Sequence, residues 1–310
     1  MRNPPRLFAA SVTLLLLLLS APAARAQGEI RVAAWNVQGV RFVGSGVQPV
    51  LKSERLADAI KLLRPDVIAL SEVNSEAEVR RIIQHLAGDD LRYRFTMLAG
   101  QQPVAQKLAI LFKEGIGVSD QRLIPDSNAG SSGLRKALAA QFKSGDFDFL
   151  LVAVHNKSGR AAAERRIRTR QNRAIRTFIE QRVQATGEQD VLVVGDYNMI
   201  PDQDAANFNA LSPAAGGLLR FVSTEEFGLP GGGFQTSHIG ACPQGRPAGN
   251  LLDGYAIARA GTEREYVADS AEILPLHQLL NVTCSDYTAR FSDHLPLVAR
   301  FTTDAPDDDN

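Results

Sequence analysis

The chain reads as an α/β protein, a two-sheet β-sandwich flanked by helices in four layers. Three observations predict this. Strand and helix patterns alternate early in the chain. From Leu91 onward, short apolar runs follow one another with no long helix between them. A long arginine-rich helix pattern, Ala161 to Val183, then leads into further buried strands. Helices beside some strands and hairpins among others fit two packed sheets.

The first strand is Ile30 to Val37, where apolar residues alternate with small or polar ones. Gly39 to Pro49 is a glycine-rich loop. Ser53 is placed to cap a helix with Leu56, Ile60 and Leu63 on one face, ended by Pro65-Asp66. Val67 to Leu70 is a buried strand running into Ser71-Glu72. Ser75 and Glu78 have capping-box spacing, and the helix they open has Val79, Ile82, Ile83 and Leu86 on its core face. Runs around Tyr93–Leu98, Leu108–Phe112, Leu134–Phe142 and Phe147–Val154 read as an antiparallel meander. Ile167, Ala174, Ile175, Phe178 and Ile179 form the apolar stripe of the long helix. Val191 to Val194 is another buried strand, and a short helix holding Phe208 and Leu211 starts after Asp202. Gly228 to Asn250, rich in Gly and Pro, reads as a surface loop. Leu251 to Ala258 and Leu295 to Phe301 are the closing strands.

The two ends are not part of this domain. Arg2 and Arg6 precede an apolar block, Leu7 to Leu19, and Ala24-Arg25-Ala26 has a small-x-small cleavage pattern. Residues 1–26 therefore read as a signal peptide, which implies a secreted or periplasmic protein. The block is shorter than the ~20 residues that span a bilayer, and no later stretch inserts stably. Residues 27–303 form one domain. The acidic tail, 304–310, reads as disordered.

The whole chain carries a formal net charge of zero. Removing Arg2, Arg6 and Arg25 leaves it slightly acidic. That excludes a globally basic nucleic-acid scaffold, so polyanion binding must come from a local patch. The two cysteines, Cys242 and Cys284, lack a Cys-x-x-Cys partner. Zinc or redox chemistry is unsupported, and export makes a disulfide between them permissible.

The chemistry stands at the ends of the apolar runs. Asn36, Glu72, His155, Asp196 with Asn198, and Asp253 each sit at a strand edge, and Asp293-His294 precedes the last strand. Ends of neighbouring strands lie within ~5 Å of one another, so one sheet end can gather them all. Oxygen donors without thiols suit Mg²⁺, Mn²⁺ or Ca²⁺ and not zinc. Singly, each residue has a structural reading: Asn caps turns, Gly-Asp-x-Asn is turn chemistry, and Asp pairs with Arg. The ordered set reads as catalytic.

Trp35-Asn36, Ser71-Glu72, His155, Gly195-Asp196-Tyr197-Asn198, Asp253 and Ser292-Asp293-His294-x-Pro296 occur in the order seen in the endonuclease/exonuclease/phosphatase superfamily, which the chain resembles over nearly its whole mature length. The resemblance implies a metal-dependent phosphoester hydrolase. Glu72 would be the main metal ligand, with Asn36 and Asp293 near the metal or its waters. His294 would take a proton from water, oriented by Asp253. Asp196 would orient the water or serve the leaving oxygen, Asn198 would hold the phosphate, and His155 would donate to a phosphate oxygen. Ser71 departs from the usual Gln, and the mid-chain catalytic Tyr of several branches has only Tyr93 as a candidate.

His155-Asn156-Lys157-Ser158 is similar to the corresponding segment of secreted nuclease-like members. It makes nucleic acid the expected substrate, with Lys157 and Arg160 as substrate-binding residues. Arg165, Arg166, Arg168, Arg170, Arg173 and Arg176 extend a local basic surface. A sphingomyelinase-like phospholipid phosphodiesterase, a phosphomonoesterase and a catalytically weak binding protein are the alternatives. His85, His238 and His277 read as ordinary residues, although His238 is within reach of a substrate.

Overall fold

The computed structural model describes residues 28–39, 49–101 and 106–306. The leader and the last residues of the tail lie outside them. In chain order the elements are β1 (Glu29–Asn36), α1 (Pro49–Leu63), β2 (Val67–Val73), α2 (Glu76–Ala87), β3 (Tyr93–Thr96), β4 (Lys107–Lys113), β5 (Gly117–Leu123), β6 (Leu138–Ser144) and β7 (Phe147–His155). There follow α3 (Ala162–Thr186), β8 (Val191–Asp196), α4 (Ala205–Leu211), β9 (Leu219–Arg220), α5 (Val222–Glu226), β10 (His238–Ala241) and β11 (Ala248–Asn250). The chain ends with β12 (Asp253–Ala258), β13 (Glu272–Ile273), α6 (Leu276–Leu279), α7 (Cys284–Arg290) and β14 (Leu297–Thr302).

Two six-stranded sheets pack face to face, ordered β13-β14-β1-β2-β4-β3 and β5-β6-β7-β8-β12-β9. The core between them is built from Ile30, Val32, Ala34, Phe112, Phe142, Phe147, Phe149, Tyr255 and Phe301. Phe142, Phe149, Phe147 and Phe301 stack in sequence, with ring centroids 4.6–5.7 Å apart. Helices α1 and α2 cover the outer face of the first sheet, packing Leu56, Ile60, Leu63, Val79 and Leu86 onto Ala33, Ile68 and Leu70. Helix α3 covers the second sheet through Ile175 and Ile179. This is the expected four-layer α/β sandwich.

Four details depart from expectation. Helix α1 begins at Pro49, so Ser53 is a buried interior residue and not its cap. The expected meander is divided: β3–β4 closes the first sheet, while β5–β6–β7 opens the second. Strand β5 gave no apolar signal because it is a mostly exposed edge. The glycine-rich segment 228–250 contains the β10–β11 hairpin, and Cys242 bridges from it to Cys284 at the start of α7. The capping expectation for α2 holds: Ser75 Oγ accepts from the Glu78 amide, and Glu78 reaches back to the Asn74 amide at 2.9 Å.

Side-chain alternation positions the site. In β1 the even residues Ile30, Val32 and Ala34 fill the core between the sheets, so Asn36 continues onto that same face. In β7 the odd residues Phe147, Phe149, Leu151 and Ala153 do so, and His155 is next in register. Leu192 and Val194 lead likewise to Asp196, while Tyr255 and Ile257 share a face with Asp253. Registers pair His155 with Asp196 and Asp196 with Asp253. One end of the sandwich therefore receives all four polar side chains.

Candidate active site

Glu72 is out of phase with this pattern. Its place in β2 points a regular side chain toward the helices. A β-bulge between Ser71 and Val73 corrects this, and Glu72 adopts φ 62°. Bulges re-aim a side chain where a strand meets a site, and a non-glycine residue in the left-handed region stores strain of about 1–3 kcal/mol. Glu72 Oε1 accepts from Asn36 Nδ2 at 3.2 Å and Oε2 from Gln106 Nε2 at 2.7 Å. Asn36 Nδ2 also reaches Asp196 Oδ2 at 3.0 Å, so one amide ties the two carboxylates together.

Gly195 is required next to Asp196. Its φ is 129°, and a Cβ there would lie 2.3 Å from the carbonyl oxygen of Val154 on β7. Asn198, at φ 52°, closes the following turn by donating its amide to Asp196 Oδ1 at 2.8 Å. Its side chain donates to the Asn156 carbonyl at 3.2 Å. The turn chemistry and the site thus share the same residues.

His294 is held from every side. Its carbonyl accepts from Trp35 Nε1 at 3.0 Å and from Tyr287 Oη at 2.7 Å. Ser292 Oγ donates to the Asn36 carbonyl at 2.6 Å and accepts from the His294 amide at 2.9 Å. Its Nδ1 meets Asp253 Oδ2 at 2.7 Å, and Ser237 Oγ donates to the same oxygen at 2.8 Å. That leaves Nε2 directed into the site, 3.9 Å from Asp196 Oδ2.

The charges are interdependent. Burial opposes the His294 cation, but Asp253, Asp196 and Asp293 outweigh it and raise its pKa to about 10. Burial, followed by the nearby Asp253, raises Asp196 to about 7. His155 is held well below its ordinary value by burial, then by Arg135 and His294. It is therefore neutral. Arg135 Nη1 lies against its Nδ1 and 3.1 Å from its Nε2, and Nε2 stands 3.5 Å from Asp196 Oδ2 and 3.6 Å from Glu72 Oε1.

The endonuclease/exonuclease/phosphatase family profile matches residues 33–247. The chain belongs to this family. Several solved structures of low sequence identity share its fold. A truncated Caenorhabditis elegans TDP2 is 16% identical with a TM-score of 0.60, covering 88% of this chain and 97% of that one. D. rerio TDP2 complexed with a single-strand DNA product is 18% identical at 0.62, covering 89% and 100%. The human nocturnin catalytic domain with bound sulfate anion is 17% identical at 0.59, covering 88% and 94%. No curated protein sequence matches the chain.

Within this family member, Asn36, Glu72, His155, Asp196, Asn198, Asp253 and His294 share one end of the sandwich. Asp293 stands at its rim, 3.9 Å from His294 Nε2. Lys157 and Arg160 lie on the loop after β7. Lys157 donates its amide to Gln171 and its ammonium to the Ser158 carbonyl, while Arg160 is exposed. Arg168 does not belong to a basic surface. It is buried, donating to the Lys157 and Gly159 carbonyls and pairing with Asp204. Arg165 joins Asp204, and Arg176 pairs with Glu180. Tyr93 is structural, its hydroxyl donating to the Pro65 carbonyl. Phe234 packs partly against the core between the sheets.

Five residues at the site were not selected from the sequence. Arg135 falls before β6, in what reads as part of a strand. Gln106 braces Glu72. Ser237 braces Asp253. Gln38 accepts from the Asp293 amide at 3.2 Å and donates its own amide to Asn36 Oδ1 at 2.9 Å. Lys52, fully buried, donates to the Gln38 carbonyl; burial lowers its pKa to about 8 against the pull of Glu78, Asp293 and Glu72. His238, read as ordinary, has its ring centroid 4.7 Å from that of His294. Among the described residues no helix is long and apolar enough to cross a membrane.

Proposed function

We propose that this protein is an exported, divalent-metal-dependent phosphodiesterase that hydrolyses nucleic acid. One observation carries the reading: the sandwich end joins a neutral His155, an Asp196 whose pKa is raised to about 7 and a His294–Asp253 pair around one partly buried carboxylate, Glu72. Such a set provides proton acceptor, proton donor and charge in one place.

The donors fit a hard cation. Glu72 and Asp293 offer carboxylate oxygens with no thiol, and the bulge that strains Glu72 aims it outward with its far oxygen braced by Gln106. Glu72 and Asp293 would hold the ion, with Asn36 beside Glu72. When bound, it would polarise a phosphate oxygen and draw the His294 pKa from about 10 toward neutrality. His294 Nε2 then takes the proton of an attacking water, and Asp253 fixes the tautomer through Nδ1. Asp196 holds the water or the leaving oxygen. His155 donates from Nε2 to a non-bridging oxygen, with Arg135 behind it and Asn198 beside it.

Nucleic acid is favoured over lipid by the surface. Half-buried Lys157 and exposed Arg160 lie on the loop that follows His155, available for backbone contacts in an otherwise neutral chain. The structural likeness to a protein solved with single-strand DNA adds support. Export rests on the leader-like residues 1–26 and on the Cys242–Cys284 bridge, which suits an oxidising compartment.

The test is plasmid and oligonucleotide cleavage with Mg²⁺ or Mn²⁺, run beside sphingomyelin and inositol phosphates. Cleavage that falls about 10²–10⁴-fold in His294→Ala and Asp253→Asn supports the reading. Intact nucleic acid alongside released phosphocholine or phosphate would transfer the site to the lipid or monoester branch.

A further inference from the structure

The hairpin residue His238 creates a second set of donors. Residues 237–239 pair with 293–295 as a short antiparallel ladder: Ile239 donates its amide to the Asp293 carbonyl at 2.6 Å, and Leu295 to the Ser237 carbonyl at 2.7 Å. His238 and His294 stand directly opposite each other in it. Opposed residues of an antiparallel pair project to the same face, which brings their rings together. Asp293 reaches both, with Oδ2 3.7 Å from His238 Nε2 and Oδ1 3.9 Å from His294 Nε2.

We propose that His238, Asp293 and His294 form a site for a zinc-class cation, and that filling it switches the enzyme off. Ligand atoms of the three residues lie within 4.8 Å of one another. Tetrahedral zinc with bonds near 2.1 Å separates its ligands by about 3.4 Å, so a trio whose ligand atoms lie within 4.8 Å of one another must draw in by up to about 1.4 Å on filling. Two imidazoles and one carboxylate form a zinc donor set with a position left for water.

The rings are prepared for this. His294 Nδ1 is committed to Asp253 at 2.7 Å, the carboxylate–histidine arrangement that orients a metal-bound imidazole, and Nε2 is the free nitrogen. His238 Nδ1 is buried without a hydrogen-bond partner, and Nε2 is the nitrogen that faces Asp293, where a cation would displace its proton. His238 and Asp293 are each about one-third exposed, at 30% and 31%, which gives the ion a path in. The oxygen donors at Glu72 lie outside this trio. A hard cation and a borderline one thus have different preferred seats, with Asp293 common to both.

The inhibitory part rests on His294 being the base. A cation on Nε2 occupies the lone pair that takes the proton. Binding itself does not depend on that reading.

Metal-free protein titrated with Zn²⁺ against a chromophoric chelator provides the test, with Mg²⁺-supported hydrolysis measured in parallel. One tight equivalent is expected in the wild type. His238→Ala should weaken it by more than the ~10–100-fold typical of losing an outer-shell partner, with an unchanged melting temperature, and whatever Mg²⁺-supported turnover it keeps should no longer respond to zinc. His238→Asn serves as a second variant if the alanine protein melts early. Zinc should stop wild-type hydrolysis and spare the variant. Equal zinc affinity in wild type and variant overturns the site. Tight binding without inhibition overturns the switch. Absent hydrolysis under every condition would instead count against the proposed function, with the zinc titration still readable.

Discussion

Arg168 Nη2 lies 3.1 Å from Asp204 Oδ1, and neither side chain has any solvent exposure. Asp204 also accepts from Arg165 and from the Ile200 amide, while Arg168 binds the Lys157 and Gly159 carbonyls. The pair therefore joins the loop after β7 to the turn after β8. Arg168→Met should cost about 3–5 kcal/mol in chemical denaturation, because Asp204 loses its fully buried partner and keeps only the part-exposed Arg165, while the Lys157 and Gly159 carbonyls lose their donor. A double change to Met and Leu that costs as much as the single one would contradict this account.

Glu72 should trade stability for function. At φ 62° glycine is the relaxed residue, so Glu72→Gly is expected to stabilise the metal-free fold by roughly 1 kcal/mol. The same change should abolish hydrolysis and remove any rise in melting temperature on adding Mg²⁺. A less stable variant would show that the bulge imposes no strain.

In the metal-free protein Asp196 and His294 should each contribute less stability as pH rises, against the opposite slopes of His155 below pH 6.5 and of Lys52 above about 8. Asp196 moves up from 3.8 to about 7 and His294 from 6.5 to about 10, so in both cases the folded state binds more protons than the unfolded chain. The His294 contribution is complete below 6.5 and gone above about 10. The penalty for a charged Asp196 is absent below 3.8 and fully felt above about 7. Thermal melts in chelator should therefore show Asp196→Asn gaining on wild type between pH 4 and pH 7, as roughly expected from that window. A flat difference would refute it.

Salt dependence should identify the substrate-facing cations. In a His294→Ala background, Lys157→Ala and Arg160→Ala should each reduce the slope of log affinity against log salt for a single-stranded oligonucleotide by about 0.7. Exposed Arg173, farther along α3, should leave the slope unchanged.

Reducing the Cys242–Cys284 bridge should lower stability by roughly 4 kcal/mol, given the 42-residue separation it closes. Equal denaturation midpoints with and without reductant would show that the bridge adds nothing.

Most of the polar set was legible because each member ends an apolar run. Val191 to Val194 announces Asp196, and Phe147 to Val154 announces His155. Arg135, Gln106 and Ser237 were not, since they reach the site from loops and their partners lie 20, 34 and 16 residues away. Arg168 was misleading for a different reason. A charged residue among six other arginines looks solvated, and only the return of Asp204 beneath α3 shows otherwise. The hairpin at His238 was hidden by glycine and proline, which mark turns well but mask strands of three or four residues.

The alternation that fills the space between the sheets also sets how this site can change over time. Inserting or deleting one residue in β1, β7 or β8 would exchange core and helix-facing sides along the strand and remove Asn36, His155 or Asp196 from the shared end in the same event. A chain that folds in the wrong register is thus both poorly packed and inactive. New specificities must accordingly arise in the segments beyond the strand ends, such as Lys157–Arg160 and the disulfide-tethered hairpin, where length can vary without disturbing the register behind them.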